Sequence, residues 1–411
     1  MKKTLIAVAA AAALTATSAF AEITFGAWLR TLTAPVASNG EDTVVGTANS
    51  WGWGARTARL DINGVSEDGK AGFSMGVYND MSMNLEAGDR ASLWVKPIDM
   101  VKISVGKFDS PDNGLRGDFC YGSWNWLRPY NWAYDGEGLT FDGIWRTGMM
   151  IEADPIEGLH AFAVIPMNTK NDSSYYKKAE DTYRNIQIGF GYAIEGVGKL
   201  KAQYIGDDSY TTDADGDRDK TKTTGQIGVA FDLNAVENLY ITVGARFGIA
   251  DKDYRPDYIK MAFTAGASYQ VSETMKFSVD GGYIQYQDDC TVRNDEAVDN
   301  VFFVGAGVDY TIMDGLSLAA DVRYMSNVKG INTKDADAVK NFKGYGKDYD
   351  EGAISFLVGV NKSVSSNGSL GIGFQGATNG CGFVQSNGAG LVADATDDFV
   401  WAIPVSVSVW F

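Results

Sequence analysis

Read in steps of two, this chain repeatedly sorts its apolar and polar residues onto opposite sides. In "AEITFGAWLRT", Ile23, Phe25, Ala27 and Leu29 share one side, and Thr24, Gly26, Trp28 and Arg30 take the other. "NIQIGFGYAI" sets Ile186, Ile188, Phe190, Tyr192 and Ile194 against Gln187, Gly189 and Gly191. "YITVGARFGI", "KMAFTAGASY" and "LSLAADVRY" repeat the pattern. So does the closing "WAIPVSVSVWF", where Trp401, Ile403, Val405, Val407, Val409 and Phe411 form one row. A period of two is the signature of a β-strand with one apolar face. The segments run about 9–13 residues, the length of a tilted strand that crosses a bilayer.

The connections alternate as well. One set is tight and rich in turn formers, such as "SEDG", "PIEG", "EGVG", "MDG" and "SSNG". The other set is long and often acidic, at roughly 33–51, 80–89, 109–137, 169–183, 207–223, 251–258, 288–299, 327–351 and 377–397. Counted back from the C-terminus, the rhythm predicts 18 strands, with 16 the nearest rival. The segments near 90–96 and 368–376 are the shortest of them. An even number places both termini on the short-turn side.

The first 21 residues stand apart. "MKK" is positive, "TLIAVAAAAALTA" is apolar and "AFA" supplies small residues, which together read as a signal peptide cleaved after Ala21. The expected organisation is therefore a signal peptide over 1–21 and a single domain over 22–411. Beyond residue 21 no run of 18 or more apolar residues occurs, which argues against helical membrane spans. Glycine reaches 48 of 411 residues, and the net charge is −17. Such acidity argues against nucleic acid as a partner. Cys120, Cys290 and Cys381 are an odd number for an oxidising compartment, so one of three pairings, or none, is open.

An apolar outer row needs a partner, and no soluble core is available for this one. In hydrocarbon every backbone N–H and C=O must be paired, so strands can span only as a closed sheet. The expected fold is all-β, a closed antiparallel transmembrane barrel with its last strand paired to its first. Trp410 and Phe411 would then sit at the membrane boundary. With its export signal, alternating strands and terminal Phe411, the chain resembles the bacterial outer-membrane porins over its whole length after residue 21. The resemblance implies a passive channel in the bacterial cell outer membrane for small hydrophilic solutes and ions. It implies no cofactor, outer-membrane lipid around the barrel, and a homotrimer. It also implies recognition of the last strand by the barrel-assembly machinery.

Sixteen to eighteen strands enclose an aqueous lumen, so candidate chemistry lies on the inward faces. Arg30, Arg59, Lys102, Lys201, Arg246, Lys260 and Arg323 fall opposite the apolar row of their strands, as do Asp61, Asp232, Asp280, Asp309 and Asp321. Two readings stand: charges tolerated by a wet lumen and paired with one another, or opposed rows that set a transverse field and ion selectivity.

The most distinctive segment is "DSPDNGLRGDFCYGSWNWLRPYNWAYDGEG", residues 109–138. It follows the fifth strand, and in general porins the loop at that place folds into the channel. The resemblance thus makes it the constriction loop, carrying Asp109, Asp112, Asp118, Arg116 and Arg128. Its aromatics, Tyr121, Trp124, Trp126, Tyr130, Trp132 and Tyr134, are too dense to leave in water. They could anchor the loop or a subunit contact, stack sugars together with Trp51 and Trp53, or face outward as an adhesive surface.

Asp213, Asp215, Asp217 and Asp219 alternate around Gly216. That arrangement reads as a solvated acidic loop or as weak calcium binding, without the terminal Glu of an EF-hand. No metal site is expected. His160, the sole histidine, is expected on the lumen side without a partner. No Walker loop, HExxH or CxxC marks an enzyme. The function expected is a diffusion channel. A sugar-selective channel, or a surface adhesin or structural protein on the same barrel, stands as the alternative.

Overall fold

The computed structural model describes residues 21–38, 43–49, 56–80, 85–108, 146–167, 185–207, 224–250, 259–286, 300–326, 352–378 and 399–411, plus 115, 144, 291–292 and 296–297. Its strands are β1 (Ala21–Ser38), β2 (Thr43–Asn49), β3 (Arg56–Ser66), β4 (Ala71–Asp80), β5 (Leu85–Ile98), β6 (Val101–Lys107) and β7 (Thr147–Ile156). They continue with β8 (Leu159–Pro166), β9 (Gln187–Ile194), β10 (Gly198–Asp207), β11 (Thr224–Leu233), β12 (Leu239–Ala250), β13 (Ile259–Ser272) and β14 (Met275–Tyr286). The last are β15 (Thr291–Val292), β16 (Glu296–Ala297), β17 (Val301–Met313), β18 (Leu316–Met325), β19 (Ala353–Ser365), β20 (Gly368–Ala377) and β21 (Val400–Trp410).

Nineteen strands join one sheet, in which each crossing strand pairs antiparallel with its sequence neighbours. β2 and β3 both pair with β1, β2 higher up and β3 lower down, so β2 prolongs the second crossing strand. The barrel therefore has 18 crossing strands, as the rhythm predicted. β1 closes on β21 from Trp28↔Trp410 to Ser38↔Trp401. The seam runs to the last residue: Phe411 donates its N–H to Ala27 O at 2.7 Å, and Ala27 N–H returns to Phe411 O at 3.0 Å. Closure leaves the barrel without a free sheet edge, as the hydrocarbon phase demands.

Three expectations about length are corrected. The segment near 90–96 belongs to a 14-residue strand and that near 368–376 to a 10-residue one. Part of the long connection 33–51 is strand, because β1 continues to Ser38 and pairs with β2. Rich in β-branched residues, Thr43–Asn49 ("TVVGTAN") suits a hairpin that outgrows the barrel wall. β15 and β16 form a separate two-stranded ribbon within the connection 288–299.

The faces follow the period-two reading. Phe25, Leu29, Leu93, Phe190, Val243, Phe263, Val304, Ile372 and Val407 are exposed on the outside, where lipid belongs. Aromatics gather toward both rims of that outer face. At the short-turn rim lie Tyr192, Tyr269, Phe277, Tyr310 and Phe411, all exposed, whereas Trp410, in register with the inward Trp28, falls on the inner face. Toward the other rim, Phe356 stacks on Phe399 at 6.2 Å and Phe374 on Trp401 at 5.8 Å. Gly376 is the notch beneath them, since a Cβ there would come within 2.5 Å of Phe399 and 2.7 Å of Phe356. In the short turns, Gly315 (φ 67) and Asn238 (φ 63) take the left-handed conformation that lets the chain reverse tightly.

Candidate functional site

The inner wall is built by the residues that alternate with the lipid-facing rows. It is not uniformly polar. On β7 and β8 part of the inner face is apolar: Met150, Phe162 and Val164 point inward. With Phe108, Leu115 and Ile144 they form a buried cluster inside the barrel, each at most 3% exposed. Leu115 belongs to the segment after β6, the fifth crossing strand. It lies against two glycines of the β9 inner face: a Cβ on Gly189 would stand 3.1 Å from Leu115 Cδ1, and one on Gly191 2.9 Å from Cδ2. Leu115 thus sits inside the barrel, against the wall three strands along from β6. The return of the connection is tied as well. Arg146, just before β7, donates from Nη2 to Gly206 O at 2.6 Å and from Nη1 to Asn185 O. Arg146 O accepts from Phe108 N–H at 2.7 Å, joining the two stems of the connection.

The charged residues expected on the inner wall are mostly paired there. Arg59 donates from Nε to Asp61 Oδ1 at 2.7 Å and from Nη1 to the Tyr78 hydroxyl at 3.0 Å. Trp28 meets Tyr78 edge-on at 6.1 Å. Lys102 Nζ lies 2.8 Å from Glu152 Oε2, and Lys201 Nζ 2.8 Å from Asp232 Oδ2. Arg246 Nη1 donates to Gln226 Oε1 at 3.1 Å. Lys276 faces Asp309 at 3.7 Å. Arg323 reaches Asp280 at 3.0 Å and Asp321 at 3.7 Å. It crosses β17 to do so, and Gly305 is the residue in register between Asp280 and Arg323. With no side chain there, the arginine has a clear path.

The pairing expected of charges on the inner wall is present, and several of the paired groups are buried. Lys201, Asp280, Asp321 and Arg323 are at most 5% exposed. Buried charges persist only when paired or hydrogen-bonded, and the ladder register supplies the partners. His160 is also corrected: its Nδ1 lies 2.8 Å from Asp154 Oδ1, near the short-turn rim. Lys260 sits at a bulge between Ile259 and Met261. Arg30 pairs with Ser408 in the seam, and its side chain is outside the description.

The other candidates lie outside the described residues. They are Asp109, Asp112, Arg116, Asp118, Arg128 and the loop aromatics from Tyr121 to Tyr134, with Trp51, Trp53, the acidic run Asp213 to Asp219 and the three cysteines. Among the described residues no group of three or more His, Cys, Asp or Glu could hold a metal ion.

Sequence reasoning missed Glu152, Tyr78, Trp94, Arg146 and the Leu115 anchor. One signal was available: Met149–Ile151 and Ala161–Ile165 are apolar at both parities, which a strand facing lipid and water should not be. The partners of the charges had no such signal, because they come from neighbouring strands.

A closed barrel of 18 strands with a charged inner wall and an inward-turned connection defines a membrane channel. The family model for Gram-negative porins matches residues 7–330, and this chain belongs to that family. Among solved structures it is similar to an anion-selective porin from Comamonas acidovorans, with 14% identity, 95% of this chain and 100% of that one covered, and a TM-score of 0.53. It is also similar to OprD of Pseudomonas aeruginosa, with 12% identity, 95% of each chain covered and a TM-score of 0.50. No curated protein matches the sequence itself. The protein is an outer-membrane diffusion channel of a Gram-negative bacterium.

Proposed function

We propose that this channel is a general one whose constriction is the segment 109–138, held inside the lumen. The observation that carries this reading is Leu115, 1% exposed and seated on Gly189 and Gly191 of the inner wall. A connection returning to solvent would leave that leucine wet. Solutes enter past acidic outer loops, pass the narrowed section and leave at the short-turn mouth. Passage is passive, with size and charge deciding it. Residues 1–21 serve as the export signal, and the seam strand ending in Phe411 is what the assembly machinery reads. A homotrimer is the proposed assembly, and no enzymatic step is assigned.

Single-channel conductance of the refolded protein in a planar bilayer tests the reading, with a salt gradient and a sugar titration. Steady openings without sugar block support a general channel. Openings that sugar closes, with the effect lost on Trp124→Ala and Trp126→Ala, make it a sugar channel. A folded barrel that never opens overturns the channel and leaves an adhesin or structural role.

A further inference from the structure

Trp94 stands apart among the described inward residues. It lies on β5, in register with Gly72 of β4. Its indole is laid across that glycine: a Cβ on Gly72 would stand 2.5 Å from Cζ2 and 2.6 Å from Cε2. The ring is thus backed by the wall and half-exposed toward the lumen. Two ammonium groups bracket it. Lys96 Nζ and Lys102 Nζ are each 5.9 Å from the ring centroid. Lys102 is oriented by Glu152 at 2.8 Å, while Lys96 forms no ion pair among the described residues. The group sits roughly 13 Å along the strand from the short turn after Ile98, at about 3.3 Å per residue.

We propose that Trp94, Lys96 and Lys102 form a solute-binding station for flat organic anions, of which aromatic carboxylates are the simplest. The inference rests on the channel reading above. A planar apolar ring stacks on the half-exposed indole in the offset geometry that aromatic pairs prefer. Its carboxylate reaches the two ammonium groups, and Lys96 has no carboxylate partner to give up among the described residues. A small anion without a ring gains only the charge interaction, which water screens. A neutral sugar gains only the stacking. The combination of backed ring and paired cations therefore selects for both features together. Glu152 opposes the ligand by occupying Lys102, so it sets a ceiling on affinity.

The test uses the full barrel in planar bilayers, with sodium benzoate or sodium acetate added on the short-turn side at equal ionic strength. Acetate current normalises each variant. Benzoate is expected to reduce the current at millimolar concentration where acetate does not. Trp94→Ala should raise the half-blocking concentration about five- to tenfold, the worth of one aromatic contact, and Lys96→Gln about two- to fivefold, the worth of one partly exposed ion pair. Glu152→Gln should lower it, a gain that a merely structural role for these residues would not produce. Lys96→Gln and Glu152→Gln carry the test if Trp94→Ala does not fold. Benzoate that acts equally on wild type and all three variants overturns the station while leaving the channel intact. So does an equal loss in Lys199→Gln, a lysine of β10 whose stem lies against the inner-face Gly191, which would mean that the lumen attracts anions generally. No openings in acetate overturn the channel reading and the station with it.

Discussion

Replacing Leu115 by Ala tests whether the connection after β6 is held by its apolar anchor. Leu115 is 1% exposed, so its side chain does not border the open lumen. The substitution removes three buried carbons, about 2.4 kcal/mol at about 0.8 each, within the ~2–5 kcal/mol of core Leu→Ala changes. The loss falls on docking of the connection, because the barrel is closed by backbone ladders that Leu115 does not enter. A deficit of about 2.4 kcal/mol shifts the ratio of docked to undocked states by roughly 50-fold. Planar-bilayer recordings should show larger or noisier openings, while gel heat-modifiability of the barrel stays near wild type. Gly189→Val should act alike, since its Cβ would stand 2.6 Å from Phe162 Cε1 and displace the same cluster. A folded L115A barrel with wild-type conductance and noise would refute the reasoning.

Arg323→Leu should strand Asp280 and Asp321 in the wall, at a cost of about 3–5 kcal/mol. Thermal unfolding in detergent should show the loss, and adding Asp280→Asn and Asp321→Asn should restore most of it. Arg146→Gln removes two hydrogen bonds from a charged donor, each worth about 1.5–3 kcal/mol. Hydrogen exchange should rise at the ends of β9 and β10, and protease should cut the connection 109–143 faster. Gly376→Val should push Phe356 and Phe399 apart and slow folding into lipid vesicles, measured by band shift over time. In the turn after β3, the Ser66 hydroxyl donates to Asp68 at 2.6 Å and holds its carboxyl below the ordinary carboxylate value. The contribution is present above the unfolded value, about 3.9, and fades as pH falls through the lower folded value. NMR titration of Ser66→Ala should return Asp68 toward that ordinary value.

The sequence by itself determined the fold class, the strand rhythm and which face of each strand meets lipid. Those features depend only on residue parity and turn chemistry, which are local. The constriction candidate came from the resemblance to general porins, in which the connection after the fifth strand folds inward. What only the tertiary structure decided is pairing across strands. That Lys201 meets Asp232, that Arg323 reaches over Gly305 to Asp280, and that His160 meets Asp154 all depend on register, which parity leaves free. Seating Leu115 on Gly189 and Gly191 joins positions far apart in the chain, and it requires β6 to β9 to be laid side by side. The charges could therefore be assigned to a face from the sequence. Which charge meets which partner came from the ladders.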